Sequence, residues 1–444
     1  MLQESSEAIA GNIDILTEIL LRLPPKPLGK FKSVSKQWLA LISDPKFCHS
    51  HTLRHHPLPS ALLLSSFYFP SPYFDLVSIT TDSVLRVPPF DYLNAPRVSI
   101  LQSCNGLLLC SSALVGDKEI RYSCSSNPYI DHCDSVVFDD NRGFRYFVCN
   151  PTTTQFATVS FPNKKFGDNI ISLSLAFDPL RSPYYKIVSI RDITEGNEFV
   201  INVYSSYTGS WSDPDVCFTP PRGLAYYAPA YINDAPAYFN GAPVYFNGAI
   251  LWLWSSDYEG KNSLYFDVES QCLNKLPMPP GMKFGTLDYF GECGGHCHMV
   301  VTEKPRTHFN ILELKEDFSG WFVRYRVDLT PMQVAFPELT WDDEDAKHPF
   351  AVLGVFQQPR EQDSKVVVLV NGTAMCFNLA THASRKLSDL CEAAGDVLAY
   401  DWRDAFLYFE NLTYVIGFPI SSCSLFWLLE LPTFLYPFIR ICGL

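Results

Sequence analysis

Residues 19–42 read ILLRLPPKPLGKFKSVSKQWLALI, and this stretch decides how the chain divides. Leu16, Ile19, Leu20 and Leu23 fall at i, i+3, i+4 and i+7, which lays one apolar stripe along a helix. Pro24, Pro25 and Pro27 end that helix, because proline lacks the amide donor and its ring clashes with the preceding turn. Pro27 opens the next one, where a missing N–H costs nothing, with Leu28 and Phe31 as its apolar face. Val34, Trp38, Leu41 and Ile42 form a further stripe, with Ser33 or Ser35 as its cap. Just downstream, SDPKFCHSHTL (43–53) predicts one more short helix, capped by Asp44 and opened by Pro45. So small a unit cannot bury enough surface to be robust alone, and it predicts a partner for its apolar side.

Outward from this unit the texture changes. From about residue 60 the chain repeats β-type runs such as ALLLSSFYF, NGLLLCSS, FRYFVCN, EFVINVYSS, AILWLW, FNILEL and KVVVLVNG, separated by turn residues. Within them a looser unit recurs, in which a strand ends in a polar turn and a second strand follows. Its turn entries at Asn150, Tyr204, Asp267, Leu314 and Asn378 are 54, 63, 47 and 64 residues apart. Periods near 50 are the mark of kelch-type propeller blades. One blade cannot bury both its faces, whereas blades around an axis cover one another. The expected body is therefore a β-propeller-like domain, with a β-sandwich as the second choice. Trp211, Trp252, Trp254 and Trp321 are expected in its core, and the only longer helix expected there spans 387–398.

Composition agrees. The 444 residues are 47% hydrophobic, 18% charged and 14% aromatic, with 33 Pro and 23 Gly, as suits a globular, turn-rich β protein. The net charge of −13 is unevenly placed, because residues 1–60 hold seven Lys/Arg and five Asp/Glu. The acidic remainder repels phosphate backbones, which excludes nucleic acid as a partner. Fourteen cysteines are scattered, several in strand-like runs (Cys110, Cys149, Cys217, Cys376), where free Cys acts as a small apolar residue. The N-terminus has no signal-peptide pattern, and a reducing compartment, cytoplasm or nucleus, is expected.

The helical stretch resembles an F-box, the module by which substrate receptors dock onto the Skp adaptor of cullin-based SCF ubiquitin ligases. The resemblance rests on Ile19-Leu20-x-x-Leu23-Pro24, then Leu28-x-x-Phe31-x-x-Val34-Ser35-Lys36-x-Trp38-x-x-Leu41-Ile42. The body is similar to the plant-type F-box-associated domain through SCNGLLLC, CNPTTTQFATVSFP, LAFDPLRSPYYKIVSI, INVYSSYTGSWSD, YFNGAILWLW and LYFDVESQCLNKLPMP, in that order. The resemblance implies a flexible N-terminus (1–11), an F-box (12–55), an F-box-associated β domain (60–415) and an apolar tail (416–444). It also implies a non-catalytic receptor subunit, bound to the Skp adaptor and through it to a cullin, with an unidentified protein as substrate. Adaptor contacts are implied for Ile15, Leu16, Ile19, Leu20, Leu23, Pro24, Leu28 and Phe31, with Val34, Trp38, Leu41 and Ile42 divided between contact and internal packing. Two departures stand out: Gly11-Asn12 replaces the usual Leu-Pro, and Gly29 stands where a large apolar residue is common. Alternatives are an F-box protein that sequesters a partner without joining a ligase, and a propeller enzyme or carbohydrate-binding protein.

No cofactor or metal site is expected. GECGGHCHMV brings Cys293, His296, Cys297 and His298 together but lacks the second ligand couplet of a zinc site. It reads as a Gly-Gly turn entering a strand. The acidic run Asp342–Asp345 reads as a solvated loop. The tail holds 19 uncharged residues from Asn411 to Leu429, but its Gly, Pro and Ser content makes a membrane span the lesser expectation beside a buried closing strand or a poorly ordered end.

Overall fold

The computed structural model describes residues 12–55, 58–65, 74–80, 84–87, 90–95, 98–113, 144–162, 170–193, 198–212, 216–219, 231–232, 235–236, 241–254, 263–282, 287–302, 307–337, 349–390 and 400–416. Four helices come first, and among the described residues the rest is six larger antiparallel sheets, with a two-stranded ribbon (Tyr231–Ile232 with Ala235–Pro236) and the short helix Thr330–Ala335 between them. Blade II pairs Val98–Cys104, Leu107–Ala113, Phe144–Asn150 and Gln155–Val159 in sequence order. Blade III has Ile170–Ala176, Lys186–Asp192 and Phe199–Ser205, with an outer edge broken into Ser210–Trp211 and Val216–Phe218. Blade IV runs Val244–Phe246, Ala249–Trp252, Leu264–Asp267 and Cys272–Lys275. Blade V runs Leu287–Cys293, His296–Val301, His308–Leu314 and Trp321–Asp328. Blade VI runs Phe350–Phe356, Lys365–Val370, Thr373–Asn378 and Ser384–Asp389.

Blade I is assembled from both ends of the chain. Pro59–Leu64, Phe74–Ser78 and Val84–Val87 supply three strands, and Ala405–Phe409 pairs with the first of them as the fourth. The first strand of each blade touches the first strand of the next around a closed ring, with Ala405–Phe409 filling that place between blades VI and II. The body is a six-bladed β-propeller closed by Ala405–Phe409, the last strand among the described residues.

The sequence texture follows from this geometry. Inner strands are covered on both faces by neighbouring blades, so Phe350–Phe356 is buried at every position and Lys365–Val370 at all but the first. Outer strands such as Cys272–Lys275 are largely exposed. Continuous cores fill each junction; Trp252 and Trp254 are fully buried between blades III and IV. Trp211 and Trp321 pack at the margins of such cores.

All five turn entries read from the sequence lie at the end of a blade's third strand or one residue short of it. There Asn150, Asp267 and Asn378 each turn their Oδ1 onto two following backbone amides, 2.9 and 3.4 Å, 3.0 and 2.7 Å, and 3.0 and 2.7 Å away. Such side-chain turns stop a strand without glycine. The helix expected at 387–398 does not form over its described part, since 387–389 complete the outer strand of blade VI. There cross-strand pairing overrides local helix propensity. Cys217 is exposed, unlike the buried Cys110, Cys149 and Cys376. The acidic run, residues 1–11 and the tail from 417 lie outside the described residues.

Candidate functional site

The N-terminal unit consists of α1 (Ile13–Leu20), α2 (Pro25–Phe31), α3 (Lys36–Ile42) and α4 (Pro45–His55). Each boundary has a local cause. Asn12 caps α1 by accepting from the Asp14 and Ile15 amides at 3.1 and 3.2 Å, so this departure from the usual Leu-Pro supplies a helix start. Helix α2 opens at Pro25, two residues before Pro27, with Pro24 extended ahead of it. Ser35 caps α3 through the Trp38 amide at 3.1 Å, and Asp44 caps α4 through Lys46 and Phe47. The carbonyls left over at the end of α1 are satisfied from α4: His51 Nε2 donates to Leu23 O at 2.8 Å and His55 Nε2 to Leu21 O at 2.9 Å. Burial pushes the His51 imidazole down to about 4, although the Leu23 bond opposes this.

The residues implied as adaptor contacts separate into three groups. Leu16, Leu20, Leu28 and Ile42 are buried inside the unit, packed with Leu21, Phe47 and Cys48. For Leu16, Leu20 and Leu28 this corrects the implied contact role, and Ile42 takes the internal-packing alternative: a unit this small closes its innermost stripe first, and these four side chains are its interior. Leu23, Phe31, Trp38 and Leu41 are half-buried around that core, with Phe31 and Trp38 edge to face at 5.6 Å. Ile15, Ile19 and Val34 are 45%, 44% and 59% exposed, and Pro24 is exposed too. Ile15 and Ile19 stand one turn apart on α1. Gly29 lies exposed on α2, and a methyl group there would meet nothing within 4 Å. The result is a helical unit that leaves aliphatic and aromatic side chains exposed or half-buried, with open space beside Gly29.

One further contributor has no local signature in the sequence. Leu412, just past the ring-closing strand, is 2% exposed and belongs to the helical core, with Tyr414 packed at its edge. Beside them Lys26 Nζ meets Glu410 Oε1 at 2.5 Å. No local pattern marks 410–414 as part of a helical unit almost 400 residues upstream, so only the fold reveals it.

The Cys–His segment is the hairpin of blade V, with Gly294 and Gly295 at φ +66° and +84°. Cys297 faces the core, and His298 is fully buried on the opposite side. Its Nε2 lies 4.0 Å from Glu313, whose other oxygen takes His296 Nδ1 at 2.9 Å. Desolvation is the main cause holding His298 down at about 3, with His296 and Arg324 adding to it. Burial pushes the Cys293 and Cys297 thiols up, away from the thiolate. Among the described residues no three His, Cys, Asp or Glu side chains are placed to hold a metal ion.

Comparison with known proteins agrees with this geometry. The F-box domain family matches residues 12–50. "F-box protein At5g07610" of Arabidopsis thaliana is 28% identical over 443 residues, covering 93% of this chain and 94% of that protein. "F-box protein At5g03970" of the same organism is 23% identical and covers 51% of each chain. "Putative F-box/kelch-repeat protein At3g17280", also from Arabidopsis thaliana, is 27% identical over 49% of this chain and 51% of its own. Helices, caps, exposed apolar surface and family match all fall on the same residues: the chain carries an F-box domain at its N-terminus, set on a six-bladed β-propeller.

Proposed function

We propose that this protein is a substrate-recognition subunit of an SCF-type ubiquitin ligase, held by a Skp adaptor and, through it, a cullin. The observation that carries the reading is the exposed surface of Ile15, Ile19, Pro24 and Val34 around half-buried Leu23, Phe31, Trp38 and Leu41, on a capped F-box. Apolar helix faces of this kind are buried in a partner's groove. The receptor's contribution to ubiquitin transfer is proximity, which raises effective concentration and needs no reactive residue of its own. Cytoplasm or nucleus is the compartment this role requires.

The propeller's two ends differ in a way that supports a substrate face. The F-box sits where Ala405–Phe409 ends and Pro59–Leu64 begins, the end at which the first strands of blades II, IV and V turn back through two residues each. At the opposite end, the described strand ends are separated in sequence by residues 114–143, 219–243, 329–349 and 390–404. Longer connections on one rim are where propellers place recognition, and this rim faces away from the adaptor.

The test is co-purification of the full chain with a plant Skp adaptor and cullin. Ile15→Asp with Ile19→Asp replaces exposed side chains, so the thermal transition is retained while adaptor capture is lost. A folded wild-type chain that captures no adaptor overturns the ligase role and leaves a protein that sequesters a partner.

A further inference from the structure

We propose that residues 410–416 are a working part of the F-box, so that the N-terminal module binds its adaptor only in a chain whose C-terminal strand has closed the propeller. The segment is extended but joins no sheet. Its side chains divide between two bodies with the period of a strand. Leu412 and Tyr414 enter the helical core formed by Leu16, Leu20, Leu28 and Ile42. Asn411, Thr413 and Val415 turn to the propeller, where all three are buried.

Buried polar groups hold this strap in place of a β ladder. Asn150 Nδ2 donates to Asn411 Oδ1 at 2.9 Å and to Thr413 O at 2.8 Å. Asn411 Oδ1 also accepts the Thr413 amide at 3.0 Å, and its Nδ2 donates to Asn105 O at 3.2 Å. Further along, Gln155 Oε1 accepts the Val415 amide and Tyr185 Oη–H donates to Ile416 O. Asn105, Asn150, Gln155 and Tyr185 belong to blades II and III, so the strap is fixed only when those blades stand beside the closing strand Ala405–Phe409. The two residues it offers the helices are therefore placed by ring closure. An F-box whose core lacks Leu412 has a hole in the cluster it shares with Leu16, Leu20, Leu28 and Ile42, and the helices carrying Ile15, Ile19 and Val34 lose their mutual placement.

The adaptor arm of the test rests on the function proposed above; a second readout does not. Full-length protein, a chain ending at residue 416, Leu412→Ala and Leu412→Asp are compared by amide hydrogen exchange and by Skp-adaptor binding. The chain ending at 416 should match the full-length protein in both. Leu412→Ala should speed exchange in α1–α3 by about 30-fold or more, the scale of a lost core leucine, and weaken adaptor binding. Blades IV and V should stay protected, with Leu412→Asp more severe in the same helices. Unchanged exchange in α1–α3 overturns the proposal, and so does equal loss of protection in blades IV and V. If wild-type protein binds no adaptor, the ligase reading fails while exchange still decides the role of the strap.

Discussion

At the scale of single residues, the two departures from the usual F-box pattern act in opposite directions. Asn12 supplies a cap, while Gly29 leaves an exposed position of α2 without a side chain. Gly29→Leu should therefore raise adaptor affinity, by several-fold in a titration, because the added side chain meets open space and improves helix propensity by up to about 1 kcal/mol. Gly106 shows the opposite constraint: at φ +93° its missing Cβ leaves room for the Asn411 amide. Gly106→Ala should cost about 2–4 kcal/mol through backbone strain and displacement of Asn411, visible as a lowered Tm. His51 and His298 are buried and neutral, with pKa pushed by desolvation to about 4 and about 3. The unfolded chain binds more protons than the folded one once pH drops below about 6.5. Stability is thus full above that pH and is lost as pH falls toward 4 and then 3. Denaturant titrations at pH 7 and 5 should show the fall, and His298→Phe should flatten it. The apolar positions of the F-box were legible from spacing, but which of them face inward was not. Leu16 and Ile15 are adjacent in sequence and chemically alike; only the packing of α1 on α3 and α4 separates them.

At the scale of elements, the blades announce themselves by their turns. Asn150, Asp267 and Asn378 end third strands with side-chain turns, and that polar punctuation made the repeat visible at irregular spacing. Asn378→Ala removes the Oδ1 that accepts two backbone amides at an exposed turn and should cost about 1 kcal/mol, measured by denaturant midpoint. Ser35→Ala removes the α3 cap and should cost about as much, with hydrogen exchange rising in α3 before the blades. The inner strands were legible as continuous apolar runs. Residues 387–398 were misread because LSDLCEAAGDVL has helical composition, while its first residues serve as an outer edge paired to Thr373–Asn378. Outer strands carry weak sequence signals because half of each faces water.

At the scale of the whole molecule, blade number and closure were beyond the sequence, because nothing local says that Ala405–Phe409 returns to Pro59–Leu64. A chain ending at residue 404 lacks the inner strand of blade I and leaves Leu62, Leu63 and their neighbours without cover. It should lose the cooperative thermal transition shown by the chain ending at 416. The same closure governs how the protein is made. Translation delivers the F-box helices first and Leu412 nearly last, a gap of roughly 20–80 s at typical ribosome speeds of about 5–20 residues per second. Until that interval ends the leading helices lack Leu412 and blade I lacks its inner strand Ala405–Phe409. Its yield in a foreign host should accordingly rise with the supply of chaperones, more than with the strength of any one contact.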